Sequence, residues 1–136
     1  MIKYKDMISS EIYDKDAFSQ WLGIEILDIS KNYCQLQMVV REEMLNGFQM
    51  AHGGISYSLA DSALAFASNT NGRKCMSIET SITHTNSIKL GDVLTATTKQ
   101  LSISNKIGLY LVTICNQEKK EIAHFKGTVY RTSKEW

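Results

Sequence analysis

From Met44 to Gly72 the chain is apolar, small or uncharged polar, with the one exception of Asp61. Within this run, residues 53–70 read GGISYSLADSALAFASNT and predict a helix. Ile55, Leu59, Ala63 and Phe66 form one stripe, and Ala60, Leu64 and Ala67 form its neighbour. Most of the helix surface is therefore apolar, and such a helix has to be enclosed. Alanines at 60, 63, 65 and 67 keep it thin, so that a sheet can approach closely.

The rest of the chain supplies the sheet. By length, 136 residues make one domain, residues 1–136, able to bury roughly two-thirds of its unfolded surface. DKDAFSQWL, residues 14–22, predicts a short helix with an acidic first turn, stopped near Gly23. IEILDIS and YCQLQMVV predict two strands, or one long bulged strand, joined near Lys31 and Asn32, and residues 41–51 predict a loop. After Gly72 the period changes. CMSIETSITHTNSI, DVLTATTKQLSIS, GLYLVTICNQ and EIAHFKGTVYRT are rich in Ile, Val, Thr and Tyr, and they alternate. They predict a four-stranded antiparallel meander, because no crossover helix separates them. One apolar sheet face needs a partner layer, and helix 53–70 is the only sizeable candidate. The predicted class is α+β: a long central helix wrapped by a curved antiparallel sheet of about five to six strands, the hotdog arrangement.

Composition removes several functions. Fifteen Lys and Arg oppose fourteen Asp and Glu, which leaves no electrostatic footprint for nucleic acid. The opening MIKYKDMISSEIYDKD is charged where a signal peptide would be apolar, and no stretch predicts a membrane span. Cys34, Cys75 and Cys115 are odd in number and form no C-x-x-C pair; they read as small buried hydrophobes in a reducing compartment. The three histidines are unclustered and predict no zinc site. A soluble cytoplasmic protein is expected.

Asp61 is the residue this scaffold leaves unexplained. By helical spacing it shares a face with Tyr57, Leu64, Ala65 and Ser68. An unpaired carboxylate buried there is costly. Either it meets solvent or a distant Lys or Arg, or it works as a base or nucleophile in an apolar cleft. The residues before the helix favour chemistry. His52, Gly53 and Gly54 stand where it should begin, where free N–H groups and the helix dipole gather positive charge and where glycine admits a ligand oxygen closely. This is a plausible oxyanion hole. His-Gly-Gly alone is a weak signal; followed eight residues later by an acid on the same apolar helix, it is stronger.

HGGISYSLADSALAFASN resembles the central helix of the phenylacetate-degradation (PaaI-like) thioesterases, within the hotdog-fold acyl-CoA thioesterase superfamily. The resemblance extends to Asn46 and continues through SIETSITHTNSIKLGDVLTA and the closing AHFKGTVYR. It implies hydrolysis of acyl- or aryl-acyl-CoA thioesters without metal or cofactor, by dimers that usually pair into tetramers. Residue by residue, Asp61 matches the catalytic carboxylate, and Gly53 the residue whose N–H polarises the thioester carbonyl. Asn46 and His52 match a polar pair beside the water or the thioester sulfur. Ser77 matches a hydroxyl that helps hold the water in some members. One departure is visible: Asn86-Ser87 stands near where members often carry Arg-Pro, and this chain has no proline.

Other hotdog readings make different demands. A hydratase would need an Asp–His pair on one loop-helix unit, and a non-catalytic acyl-CoA-binding module would lack the acid. For CoA itself, Arg73, Lys74, Lys89 and Lys106 near turns are candidates for a basic rim, each also readable as ordinary solvated charge. Gly54, Tyr57, Met50 and Leu64 are candidates for the substrate-facing wall. Finally, Gly53 and Asp61 stand eight residues apart on one helix, about 12 Å at 1.5 Å per residue. Reacting groups must approach to about 3–3.5 Å. The expectation is therefore a homodimer with two composite sites, each taking Gly53 from one chain and Asp61 from the other.

Overall fold

The computed structural model describes residues 2–136, in the order α1 (Ile2–Glu11), α2 (Ala17–Leu22), β1 (Glu25–Ser30), β2 (Tyr33–Val39), α3 (Gly53–Ser68), β3 (Arg73–His84), β4 (Val93–Ile103), β5 (Ile107–Cys115) and β6 (Glu121–Glu135). The six strands form one antiparallel sheet in the order β1-β2-β4-β5-β6-β3. This is the expected hotdog arrangement. α3 lies against β2, β3, β4, β5 and β6, and its Leu59, Ala60, Ala63, Phe66 and Ala67 are wholly enclosed.

The sheet approaches α3 closely through a glycine of its own. At Gly127 of β6 an added Cβ would lie 2.5 Å from Leu64 Cδ2, so glycine there lets the sheet touch the helix. Cys34 of β2 packs into the same layer. Its thiol donates to the Ala63 carbonyl at 3.2 Å, and burial pushes its pKa up to about 12. Cys75 and Cys115 are only half-buried, so the reading of all three as core groups holds for Cys34 alone.

The meander expectation needs correction. Of its four strands only β4, β5 and β6 pair in sequence order; β3 pairs with β6 and forms the far edge of the sheet. The reason is the β3–β4 connection. Residues 85–92 are no tight turn: Ile88 is buried, its carbonyl accepts from the Ala51 N–H at 2.8 Å, and the segment carries the chain across to β2. There β4 pairs with β2, Val39 facing Val93. β1 and β2 are two strands joined at Asn32, whose φ is 62°.

A second correction concerns the N-terminus. The predicted helix 14–22 divides into a 3-10 turn at Tyr13–Lys15 and α2, capped by Asp16, whose side chain accepts from the Ser19 N–H at 2.9 Å. It stops at Gly23, φ 74°, as expected. α1 was not expected. Its Ile8 is fully buried, with Tyr4, Met7 and Ile12 packed around it. α2 covers a flank of α3 through a buried 2.7 Å hydrogen bond between the Ser19 and Ser62 hydroxyls. Among the described residues no helix is long and apolar enough to cross a membrane.

Candidate functional site

α3 is open along one strip. Gly53, Gly54 and Asp61 are exposed, and Tyr57, Ser58 and Ala65 are half-exposed. Two separate clefts border this strip.

The first cleft lies at the start of α3. Asn46, Met50, Gly53, Ser56, His84 and Ile88 line it, and its volume is about 120 Å³. His52 is the N-cap residue of the helix, and its Nδ1 accepts from the Gly54 N–H at 3.1 Å. That leaves Nε2 to carry the proton when the ring is neutral. The His52 carbonyl accepts from Ile55, and among the described residues nothing accepts from the Gly53 N–H. Of the two glycines, Gly53 thus offers the free donor and Gly54 does not. Asn46 shapes the preceding loop. Its Oδ1 accepts from the N–H groups of Phe48 at 2.8 Å and Met50 at 3.2 Å, which leaves its amide N–H groups for a ligand.

The second cleft is about 70 Å³, lined by Asp61, Leu64, Ala65, Ser68, Cys75 and Ser77 among others. Asp61 is exposed, not buried as the apolar run suggested, and opens into a cleft walled by Cys75, Met76 and Ser77 of β3 and Val129 of β6. No ion pair among the described residues includes it. Desolvation by its neighbours raises its carboxyl above the ordinary carboxylate range, and the Asp16 carboxylate adds repulsion in the same direction. A raised pKa makes the carboxylate a stronger proton acceptor.

The structure brings Asn46, Met50 and Gly53 together, with His52 capping the same turn, and it brings Asp61, Leu64 and Ser77 together. It places the two groups in different clefts of the single chain. Tyr57 lines neither; its ring packs edge-on against Phe125 at 5.5 Å and its hydroxyl bonds Thr80. The basic candidates lie apart. Arg73 bonds Asn105, and Lys106 lies at that same β4–β5 turn. Lys89 lines a polar trough at the other end of β4 with Asn86, Ser87, Asp92, Gln117 and Lys120. β4 is eleven residues long, so these ends stand about 35 Å apart. Lys74 lies over the Trp136 ring at 4.9 Å.

Ser56, Asp16 and, as part of this site, His84 do not stand out in the sequence. Alternation of Thr80, Ile82 and His84 along β3 was the available signal. Ile82 pairs with the buried Phe125, so this face of β3 looks toward the helix. No group of three His, Cys, Asp or Glu side chains among the described residues is placed to hold a metal ion.

Comparison with known proteins agrees with this architecture. The family described as Thioesterase superfamily matches residues 48–123. A putative esterase of Archaeoglobus fulgidus is 37% identical over 131 residues, covering 96% of this chain and 85% of the relative. The acyl-coenzyme A thioesterase PaaI of Escherichia coli is 36% identical over 120 residues, covering 88% of this chain and 86% of the relative. The solved structure of the E. coli PaaI protein superposes with a TM-score of 0.93 at 32% identity, covering 98% of this chain and 96% of that one. A Streptococcus mutans protein solved bound to acetyl CoA superposes at 0.80 with 26% identity, over 83% of this chain and 91% of that one. With the fold, the family match and relatives aligned over most of their length, the chain belongs to the thioesterase superfamily as a PaaI-like thioester hydrolase.

Proposed function

We propose that the protein hydrolyses acyl-CoA or aryl-acyl-CoA thioesters to the free acid and CoA, at sites shared between two copies of the chain. The observation that carries this reading is the separation of the two half-sites. The unpartnered Gly53 N–H and the unpaired Asp61 lie on one helix strip but in different clefts. Ligand pockets usually enclose about 300–1,000 Å³, and neither cleft approaches that size. Two α3 helices running antiparallel across a two-fold axis would bring Gly53 of one copy to Asp61 of the other. β3 supports such a contact. It is an edge strand of twelve residues that leaves Met76 63% and Ile78 59% exposed, and a long apolar edge of this kind normally pairs or is covered. Pairing of dimers into a tetramer extends the same reading. The choice of CoA rests on the named activity of the E. coli relative and on the acetyl CoA bound to the S. mutans neighbour.

In such a site the thioester oxygen accepts from the Gly53 N–H. Asp61 then acts by one of two routes. As a base, it takes a proton from water while the hydroxyl attacks the carbonyl carbon and the C=O pair moves to oxygen. The tetrahedral intermediate collapses, expels CoA thiolate and returns the proton from Asp61 to sulfur. As a nucleophile, Asp61 attacks directly, expels the thiolate and forms a mixed anhydride that water cleaves. Either way the helix-start donor carries the developing charge, an effect of roughly 2.7–4 kcal/mol per donor in comparable sites. In this reading Asn46, with His52, stands beside the water or the sulfur, and Ser77 helps hold the water. His52 acts from its capping position, and Met50, Gly54, Leu64 and Tyr57 are carried as acyl-side residues. Arg73, Lys89 and Lys106 meet CoA phosphates only where two chains combine their ends.

The test is release of free thiol from phenylacetyl-, benzoyl-, short- and medium-chain acyl-CoAs, compared as kcat/KM. The reading predicts turnover on at least one class. No CoA release from any of them by the folded protein contradicts it.

A further inference from the structure

The first turn of α3 is tied from two sides. The Gly54 N–H donates to His52 Nδ1 at 3.1 Å, and the Ser56 hydroxyl donates to the Gly53 carbonyl at 3.1 Å. The peptide unit joining the two glycines is therefore held at both its N–H and its C=O. Ser56 has one hydroxyl proton, and the Gly53 carbonyl takes it. The 2.8 Å contact between Ser56 Oγ and His84 Nε2 then requires Nε2–H to donate. The His84 ring also lies against Gly53 itself. A Cβ added at Gly53 would meet its Cε1 at 3.3 Å and its Nε2 at 3.7 Å. His84 is the last residue of β3, so the edge strand reaches over the helix start and clamps it.

The proposed hydrolysis assigns no step to either residue. Ser56 is fully buried and its proton is committed to a carbonyl, so it is placed to hold rather than to attack. Two consecutive glycines have more backbone freedom than any other pair. A donor that must reorganise as charge develops loses the advantage of being aimed in advance. The His52 carbonyl, bonded by the Ile55 N–H, holds the preceding peptide that carries the Gly53 N–H, and His52 Nδ1 reaches only the N–H side of the following one.

We propose that His84 is a positioning residue which, packed against Gly53 and acting through Ser56, holds Gly53 and the peptide that follows it, so that the N–H on the other side of Gly53 is aimed at the thioester oxygen. The catalytic consequence rests on the reading given under Proposed function; the clamp itself does not.

The experiment has a structural and a kinetic arm. [15N]Glycine labelling gives one amide signal for each of the eight glycines. In His84→Phe, which keeps a ring and removes the donor, the Gly53 and Gly54 signals shift or broaden, while those of Gly108 and Gly127 stay in place and report an intact fold. His84→Gln restores an Nε2 donor and returns both signals toward the wild-type positions. In turnover, His84→Phe lowers kcat about tenfold, a fraction of the loss seen when an oxyanion donor is removed outright, with KM within about twofold. His84→Gln recovers most of that loss, and Ser56→Ala combined with His84→Phe costs no more than the worse single change. Unchanged Gly53 and Gly54 signals in folded His84→Phe overturn the proposal, as does full additivity in the double variant. The glycine spectrum needs no turnover, so a wild-type protein without thioesterase activity still decides the clamp. Conversely, an unaffected His84→Phe beside an inactive Asp61→Asn removes the clamp and leaves the hydrolysis standing.

Discussion

The first turn and the third turn of α3 solve opposite problems. At the first turn the working group is backbone. Its neighbours His52 and Ser56 are polar and hydrogen-bonded, and among the described residues the Gly53 N–H is left without an acceptor. At the third turn the working group is a side chain, Asp61, among mostly apolar neighbours and in no ion pair among the described residues. The first turn gains its strength from being fixed, the third from being poorly solvated. A donor costs little to hold once its turn is capped, whereas a desolvated carboxylate costs stability wherever it is ionised. The charge that the apolar run cannot explain as packing is therefore the one that should matter most to turnover.

Substitution separates the two regions. Asp61→Asn keeps the fold and lowers kcat by at least about a hundredfold, the lower end for loss of a general base. Steady-state kinetics on the folded variant check this, and near-normal turnover would remove Asp61 from the mechanism. In the wild type, the acid limb of kcat/KM should be displaced upward from that of an ordinary aspartate, because desolvation raises Asp61.

Changes around the first turn should cost less. Asn46→Ala and His52→Ala reduce kcat by smaller factors than Asp61→Asn, because these residues position reactants and take no proton. If either, still folded, proved more damaging than Asp61→Asn, the ranking of the two regions would be reversed.

The smallest expected effect is on stability, and its sign is opposite. The folded-state pKa of Asp61 lies above its unfolded value. Folding is then penalised at pH values above the folded pKa, where the group is ionised in both states. The penalty fades as pH falls through the folded pKa and is gone below the unfolded one. Asp61→Asn should therefore raise the denaturant midpoint at neutral pH, and the gain should shrink toward acid. A midpoint equal to or below wild type at neutral pH would mean that Asp61 sits in the fold without strain.

Much of this was legible in the sequence, because it rests on local period. The apolar circumference of residues 53–70 announced an enclosed helix, and alternation announced the strands. Alternation is blind to which strand lies beside which, so the place of β3 next to β6 was not legible. That place depends on Ile88 burying itself in the β3–β4 connection. α1 was missed although Tyr4, Met7, Ile8 and Ile12 recur at helical spacing, because Lys3, Lys5 and Asp6 dilute the pattern. Gly53 and Asp61 could be found from motif and isolation. Alternation could put His84 on the inward face of its strand but not at the helix start, since its contact with Ser56 spans 28 residues and arises only when β3 folds across that turn.

The central claim is that Gly53 and Asp61 work together across two chains. Complementation tests it. Asp61→Asn removes the carboxylate. Gly53→Pro removes the free N–H at the first helical position, where proline is tolerated. The backbone suits the change: Gly53 does not adopt a positive φ, and His52, with φ −60° and ψ 138°, has the extended form preferred before proline. The proline Cβ would stand 3.3 Å from His84, so the ring has to yield by a few tenths of an ångström. Each folded variant alone should be nearly inactive. Refolded together in equal amounts, about half of the dimers are mixed, and each mixed dimer holds one intact site and one doubly broken site. The account predicts that about a quarter of wild-type activity returns. Mixed dimers that form, as shown by differently tagged chains, and recover no activity would contradict it.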